Sequence, residues 1–224
     1  MTAVWVLAGA ALGLLAVLAD APDGVLRAVM AALTSSGLAW GLAAFLAGRS
    51  TAGRRAAVLR ATGTLVAATL AYYLLIVFVS RRWSGGTLED GSSADAYALR
   101  SVALMTGFWL AGSLVAGPLL GLLGHTVRAS SPRSAAGAAG VACGLLSAEG
   151  WAAVAPWRLP LGDPFYQAVA AGTAVRIVLP LAVLGWLAGR HRLWAAWPVL
   201  AGAAVAAGAG GAVLWRVLLA SVNA

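Results

Sequence analysis

The chain contains no lysine, one cysteine, two histidines and seven acidic residues among its 224 positions. Each scarcity closes a class of chemistry. A lone cysteine, Cys143, excludes an intrachain disulfide, a CxxC thiol pair and a cysteine-rich zinc site, all of which need at least two thiols. His125 and His191 leave little scope for a metal centre, and no HExxH, GxSxG, Walker A or DxD-type pattern occurs. A haem bridged by the two histidines is geometrically conceivable, but a histidine at a span boundary among arginines is ordinarily solvated. No cofactor is expected, and no enzymatic activity is assigned.

Charge is scarce as well: 10% of residues are charged, against roughly 25% in soluble domains. The 15 basic residues are all arginine and give a net charge of +8, yet they are spread along the chain instead of forming a run that could track phosphates. Nucleic acid is therefore not an expected partner; the lipid bilayer is.

What is abundant is apolar sequence, 62% of the chain. A helix crosses a bilayer core of about 30 Å with about 20 mostly apolar residues. Seven stretches qualify, at about 3–19, 25–47, 57–79, 99–123, 135–155, 167–188 and 196–218. The expected fold is an all-α polytopic transmembrane helix bundle forming a single membrane domain over 1–224. Leu18-Ala19-Asp20-Ala21 resembles a signal-peptide cleavage site but lacks a basic n-region; cleavage would leave six spans.

Arginine sets the expected orientation, because short cytoplasmic loops retain basic residues. The second, fourth and sixth connections and their helix ends carry Arg49, Arg54, Arg55, Arg60, Arg128, Arg133, Arg190 and Arg192 with no acid. The alternate connections carry Arg27, Arg81, Arg82, Arg100 and Arg158 against six acids. This implies an inner-membrane protein with a cytoplasmic N-terminus and an external C-terminus.

Within the spans, Gly9/Gly13, Gly37/Gly41, Gly117/Gly121, Gly140/Gly144 and Gly185/Gly189 put small residues four apart, the usual device for close helix packing. A role as a homo-oligomer or accessory subunit stays open. Pro118, Pro180 and Pro198 remove backbone donors inside predicted spans. Trp5, Trp83, Trp157, Trp194, Trp197 and Trp215 lie near span ends, where tryptophan anchors to the interface.

Two ionisable residues lie deep in spans, Glu149 and Arg176, on consecutive antiparallel helices. Such residues are costly in a membrane and are candidates for function. Side chains tilt toward their own helix N-terminus, so the two can converge. Arg176 would then be an anion contact with Glu149 as its partner, or the two would form a permanent ion pair fixing two helices. Tyr72, Tyr73, Thr106, Trp109 and Trp151 fall in the same outer slab, and aromatics around a few polar groups are typical of ligand pockets. Tyr72 and Tyr73 point about 100° apart, so at most one faces a shared pocket directly. The proline-rich loop of residues 156–166 sits above the pair as a lid or a stiff connector.

Ala71-Tyr72-Tyr73, Gly117-Pro118-Leu119-Leu120-Gly121-Leu122-Leu123-Gly124-His125, Ser147-Ala148-Glu149-Gly150-Trp151 and Arg176-Ile177-Val178-Leu179-Pro180 occur in that order. The pattern resembles a family of uncharacterised, actinobacterial-type multi-pass integral membrane proteins, a domain of unknown function. The resemblance spans most of the chain, implies a membrane location and carries no activity. Size and helix number also look loosely like the substrate-binding membrane subunits of energy-coupling vitamin importers, which typically have six spans and both ends inside. Two functional readings remain: a small, anionic solute bound or transported through an outward-facing cavity, or a structural or accessory protein with a purely architectural Glu-Arg pair.

Overall fold

The computed structural model describes residues 2–154 and 162–222. It is all-helical, with no strand among the described residues. Helices α1 (Thr2–Leu18), α2 (Gly24–Thr34) and α3 (Gly37–Arg49) are followed by α4 (Arg54–Leu74), which runs on as a π-helical turn and a half over Leu75–Ser80. Then come α5 (Asp95–Ala129), α6 (Pro132–Ala153) and α7 (Pro164–Arg190), and a 3₁₀ turn at Leu193–Ala196 leads into α8 (Trp197–Val222).

Five segments are long and apolar enough to cross a membrane: Gly24–Arg49, Arg54–Ser80, Asp95–Ala129, Pro164–Arg190 and Leu193–Leu218. That is fewer than the seven expected. Helix α1 is apolar but short, with Ala3–Leu18 in the shorter class. Helix α6 is long enough at 22 residues, but glycine, serine, Arg133 and Glu149 dilute its hydropathy. Its position explains that composition. It touches α3, α5, α7 and α8, and more of its residues are buried than in any other helix, so it meets protein rather than lipid.

The packing follows the membrane pattern of small residues inside and large apolar ones outside. Ala44, Ala61, Ala136, Ala139 and Ala188 are buried in the core, whereas Leu59, Phe78, Val115 and Val205 are at least 70% exposed. Four of the five glycine pairs lie at helix contacts. Gly9 and Gly13 seat α1 on the α4 backbone at Thr64 and Ala68, and Gly140 and Gly144 seat α6 on α8 at Leu200 and Ala204. Gly117 and Gly121 meet Thr62 and Ala57 of α4, and Gly41 meets Leu146. A β-carbon on any of these would collide with its neighbour; one at Gly185 or Gly189 would meet nothing within 4 Å. The last pair therefore does not pack helices together among the described residues.

Pro118 and Pro180 lie inside α5 and α7, but Pro198 falls in the first turn of α8, where a missing N–H has no intrahelical partner to lose. The α4–α5 loop is held by local bonds: Gly85 N–H donates to Asp95 Oδ1 over 2.8 Å, and Thr87 bridges Ser93. Arg82 pairs with Asp20, joining this loop to the α1–α2 turn.

Candidate functional site

The second span, expected as one helix over 25–47, is two. Thr34-Ser35-Ser36-Gly37 interrupts it, because hydroxyl side chains offer the backbone alternative partners and glycine adds conformational freedom. At membrane depth every freed backbone group needs a partner. Ser36 Oγ donates to the Ala32 carbonyl over 2.5 Å and accepts from Ala39 N–H over 3.4 Å, capping α3. The Trp40 indole N–H donates to the Thr34 carbonyl over 2.7 Å, and Ser35 Oγ to the Ala16 carbonyl of α1 over 3.3 Å.

The Gly37 N–H, at the first position of α3, donates to Glu149 Oε2 over 3.0 Å. Glu149 Oε1 lies 3.2 Å from Arg176 Nε. One carboxylate from α6 thus spans the positive end of a half-helix and a guanidinium from α7. The α6–α7 approach that permits this is close at Gly150, where a β-carbon would come 3.1 Å from Arg176 Cβ. Pro180, four residues on, cannot donate to the Arg176 carbonyl, which therefore lacks its usual intrahelical donor.

The Arg176 contact is electrostatic more than directional. Its Nε is buried yet makes no aligned hydrogen bond, despite the 3.2 Å separation. The terminal nitrogens are not buried in this way and make no hydrogen bond among the described residues. Arg176 also lines a cavity of about 230 Å³, together with Glu149, Ala152, Ala153 and Trp215. Roughly eight waters would fill that volume at about 30 Å³ each.

The other residues singled out from the sequence are distributed differently. Tyr72 and Tyr73 stack edge-on at 5.1 Å, and Tyr72 meets Trp40 at 6.2 Å, so they reach the helix break through Trp40 and do not line the cavity. Trp109 stacks on Phe108 at 5.3 Å and is 38% exposed on α5, away from the pair. Trp151 donates to Ser147 Oγ over 3.2 Å and lies beside Gly208 of α8. Thr106 bonds its own helix at Val102. Most of the proline-rich loop, residues 156–161, is outside the described residues; beyond it Asp163 caps α7 through Phe165 N–H.

Two members of the site were not singled out for it from the sequence. Gly37 was read as half of a packing pair, and Trp215 as an interfacial anchor. A β-carbon at Gly37 would lie 3.5 Å from both Glu149 Oε2 and Trp215 Cζ2, so Gly37 sits next to both groups. The run of three hydroxyl residues before Gly37, in the middle of an apolar span, was the available signal for a break. His125 is buried in α5 with Nδ1 unpartnered, and His191 meets Arg49, so the two have separate surroundings. No group of three or more potential metal ligands occurs among the described residues. No protein-family profile, curated protein or solved structure matches the chain.

Proposed function

We propose that this chain is an integral membrane protein that binds a small anionic solute, of the carboxylate class, at the α2–α3 break. The observation that carries this reading is Arg176, whose Nε meets Glu149 while the residue itself lines the cavity. The charge balance favours an anion. Glu149 and Arg176 cancel, and the N-terminus of α3 contributes roughly half a positive charge. A guanidinium offers a planar fork that matches a carboxylate, and half-helix N-termini at broken membrane helices are suited to such groups. The cavity volume has room for a small solute.

In this reading all seven helical segments cross an inner membrane, with α2 and α3 sharing one span. The N-terminus is cytoplasmic, the C-terminus is outside, and the cavity opens outward. Support comes from the seating of α1 on α4, the enclosure of α6, and the arginine asymmetry of alternate connections. A second reading treats the pair as architectural; it is favoured by the engagement of both Glu149 oxygens, one on α3 and one on α7.

The purified protein in detergent separates the two. Acetate, lactate and succinate, each against chloride at equal ionic strength, are titrated while thermal unfolding and heat of binding are followed. The binding reading expects at least one carboxylate to stabilise wild type and to lose its effect in Arg176→Met and in Arg176→Lys, the latter retaining the charge. Absence of any response in wild type, with both Arg176→Met and Glu149→Gln destabilised, establishes the architectural reading instead.

A further inference from the structure

A second charged cluster lies at the opposite end of the bundle, where α3, α5 and α7 terminate. Arg49 is the last residue of α3, Arg128 is the penultimate residue of α5, and Arg190 is the last of α7, with His191 next. Arg49 Nη2 lies 2.9 Å from His191 Nε2. Arginine can only donate, so this bond requires the lone pair of a neutral imidazole. Arg128 Nη1 donates to the Arg49 carbonyl over 3.4 Å. The Arg49 and Arg190 guanidinium carbons stand 5.4 and 5.9 Å from the same Trp186 ring.

No acid accompanies them: the ion pairs of the described residues involve Asp20 and Glu149 alone, both remote from this cluster. Arg49 Nε is buried with no hydrogen-bond partner. The three helix C-termini contribute roughly half a negative charge each, offsetting about half of three arginines. An excess of roughly one to two positive charges remains, held on converging side chains beside a half-exposed tryptophan.

We infer that Arg49, Arg128 and Arg190 form a binding site for the phosphate of an anionic phospholipid headgroup. A phosphodiester carries one negative charge and accepting oxygens, matching the uncompensated donors. Trp186 is 51% exposed, beside Leu187 and Ala188, which are buried, and so presents an apolar ring along which an acyl chain can lie. Basic pockets between membrane helices hold such headgroups, and each arginine near an anionic surface contributes about 1 kcal/mol. The shared chemistry is a phosphate ester; the exposed, apolar flank favours the lipid source over a soluble one.

The test uses the full chain in detergent micelles doped with phosphatidylglycerol, phosphatidylcholine or inorganic phosphate, following thermal unfolding and lipid retention. Phosphatidylglycerol is expected to stabilise wild type and to be retained at least about tenfold better than phosphatidylcholine. The exposed double variant Arg128→Gln/Arg190→Gln should lose that preference, whereas Arg54→Gln/Arg55→Gln, which removes the same charge from the start of α4, should keep it. Equal retention of the two lipids overturns the proposal, as does equal loss in both double variants, which would mean diffuse attraction. An equal response to inorganic phosphate overturns the lipid assignment in favour of a soluble phosphate compound. Arg49→Gln extends the test only if its circular dichroism matches wild type.

Discussion

The two charged regions of this bundle solve the problem of burial in opposite ways. At the α2–α3 break, Glu149 and Arg176 neutralise each other and the carboxylate also takes up the Gly37 N–H. At the ends of α3, α5 and α7, Arg49 and Arg190 face Trp186 and Arg128 bonds the Arg49 carbonyl, with no carboxylate paired to them among the described residues. The difference follows from depth. A charge within a span must carry its partner with it, since removing one member of a buried pair leaves the other uncompensated. A charge at the interface can take its counter-ion from outside the chain. Pairing thus identifies the interior site, and the lack of pairing identifies the terminal one.

The largest expected effect tests that contrast directly. Arg176→Met should cost about 3 kcal/mol of unfolding free energy in mixed micelles, because Glu149 loses its charge partner. Arg190→Met, in phosphatidylcholine micelles, should change stability by less than about 0.5 kcal/mol. Equal losses at the two positions would erase the distinction. Ser36→Ala should cost about 1 to 2 kcal/mol by the same measurement, since the hydroxyl both caps α3 and satisfies the Ala32 carbonyl.

Supplying the missing acid at the terminal cluster should convert it toward the interior type. His191→Glu places a carboxylate beside Arg49 and should stabilise the protein by up to about 1 kcal/mol while weakening its response to phosphatidylglycerol. The smallest effect is on His191 itself. Desolvation, then Arg49 on α3, then Arg190 on α7 hold its imidazole below the ordinary value of 6.5. A folded-state pKa below the unfolded one means that the unfolded chain binds the proton more readily. The contribution of His191 is therefore complete above the unfolded pKa and diminishes as pH falls below it. An NMR titration should show His191 below 6.5 in phosphatidylcholine micelles and higher once phosphatidylglycerol is added.

Much of the architecture was legible in the linear sequence because lipid imposes a simple rule on each span. Length and apolarity located the helices, and glycines four apart marked the faces by which α1 and α6 pack, although not their partners α4 and α8. The break at Ser35 and Ser36 was harder to read. Hydropathy averages over a window, and four small residues hardly lower it, although their side chains reorganise the backbone. Trp215 was read by its distance from a span end, but its ring meets Gly37 because α8 lies along α6. Distance along a helix says how deep a residue lies and not which neighbour it faces.

The sequence by itself determined the helical class, the placing of Glu149 and Arg176 within apolar helices, and the clustering of arginine at alternate connections. These depend on composition and spacing, which are properties of one segment at a time. Only the tertiary structure decided that Gly37 N–H shares the Glu149 carboxylate with Arg176, and that Arg49, Arg128 and Arg190 gather at one end without an acid. Both arrangements join residues far apart in the chain. Their geometry depends on close backbone approaches, such as Gly150 against Arg176, that no single helix encodes.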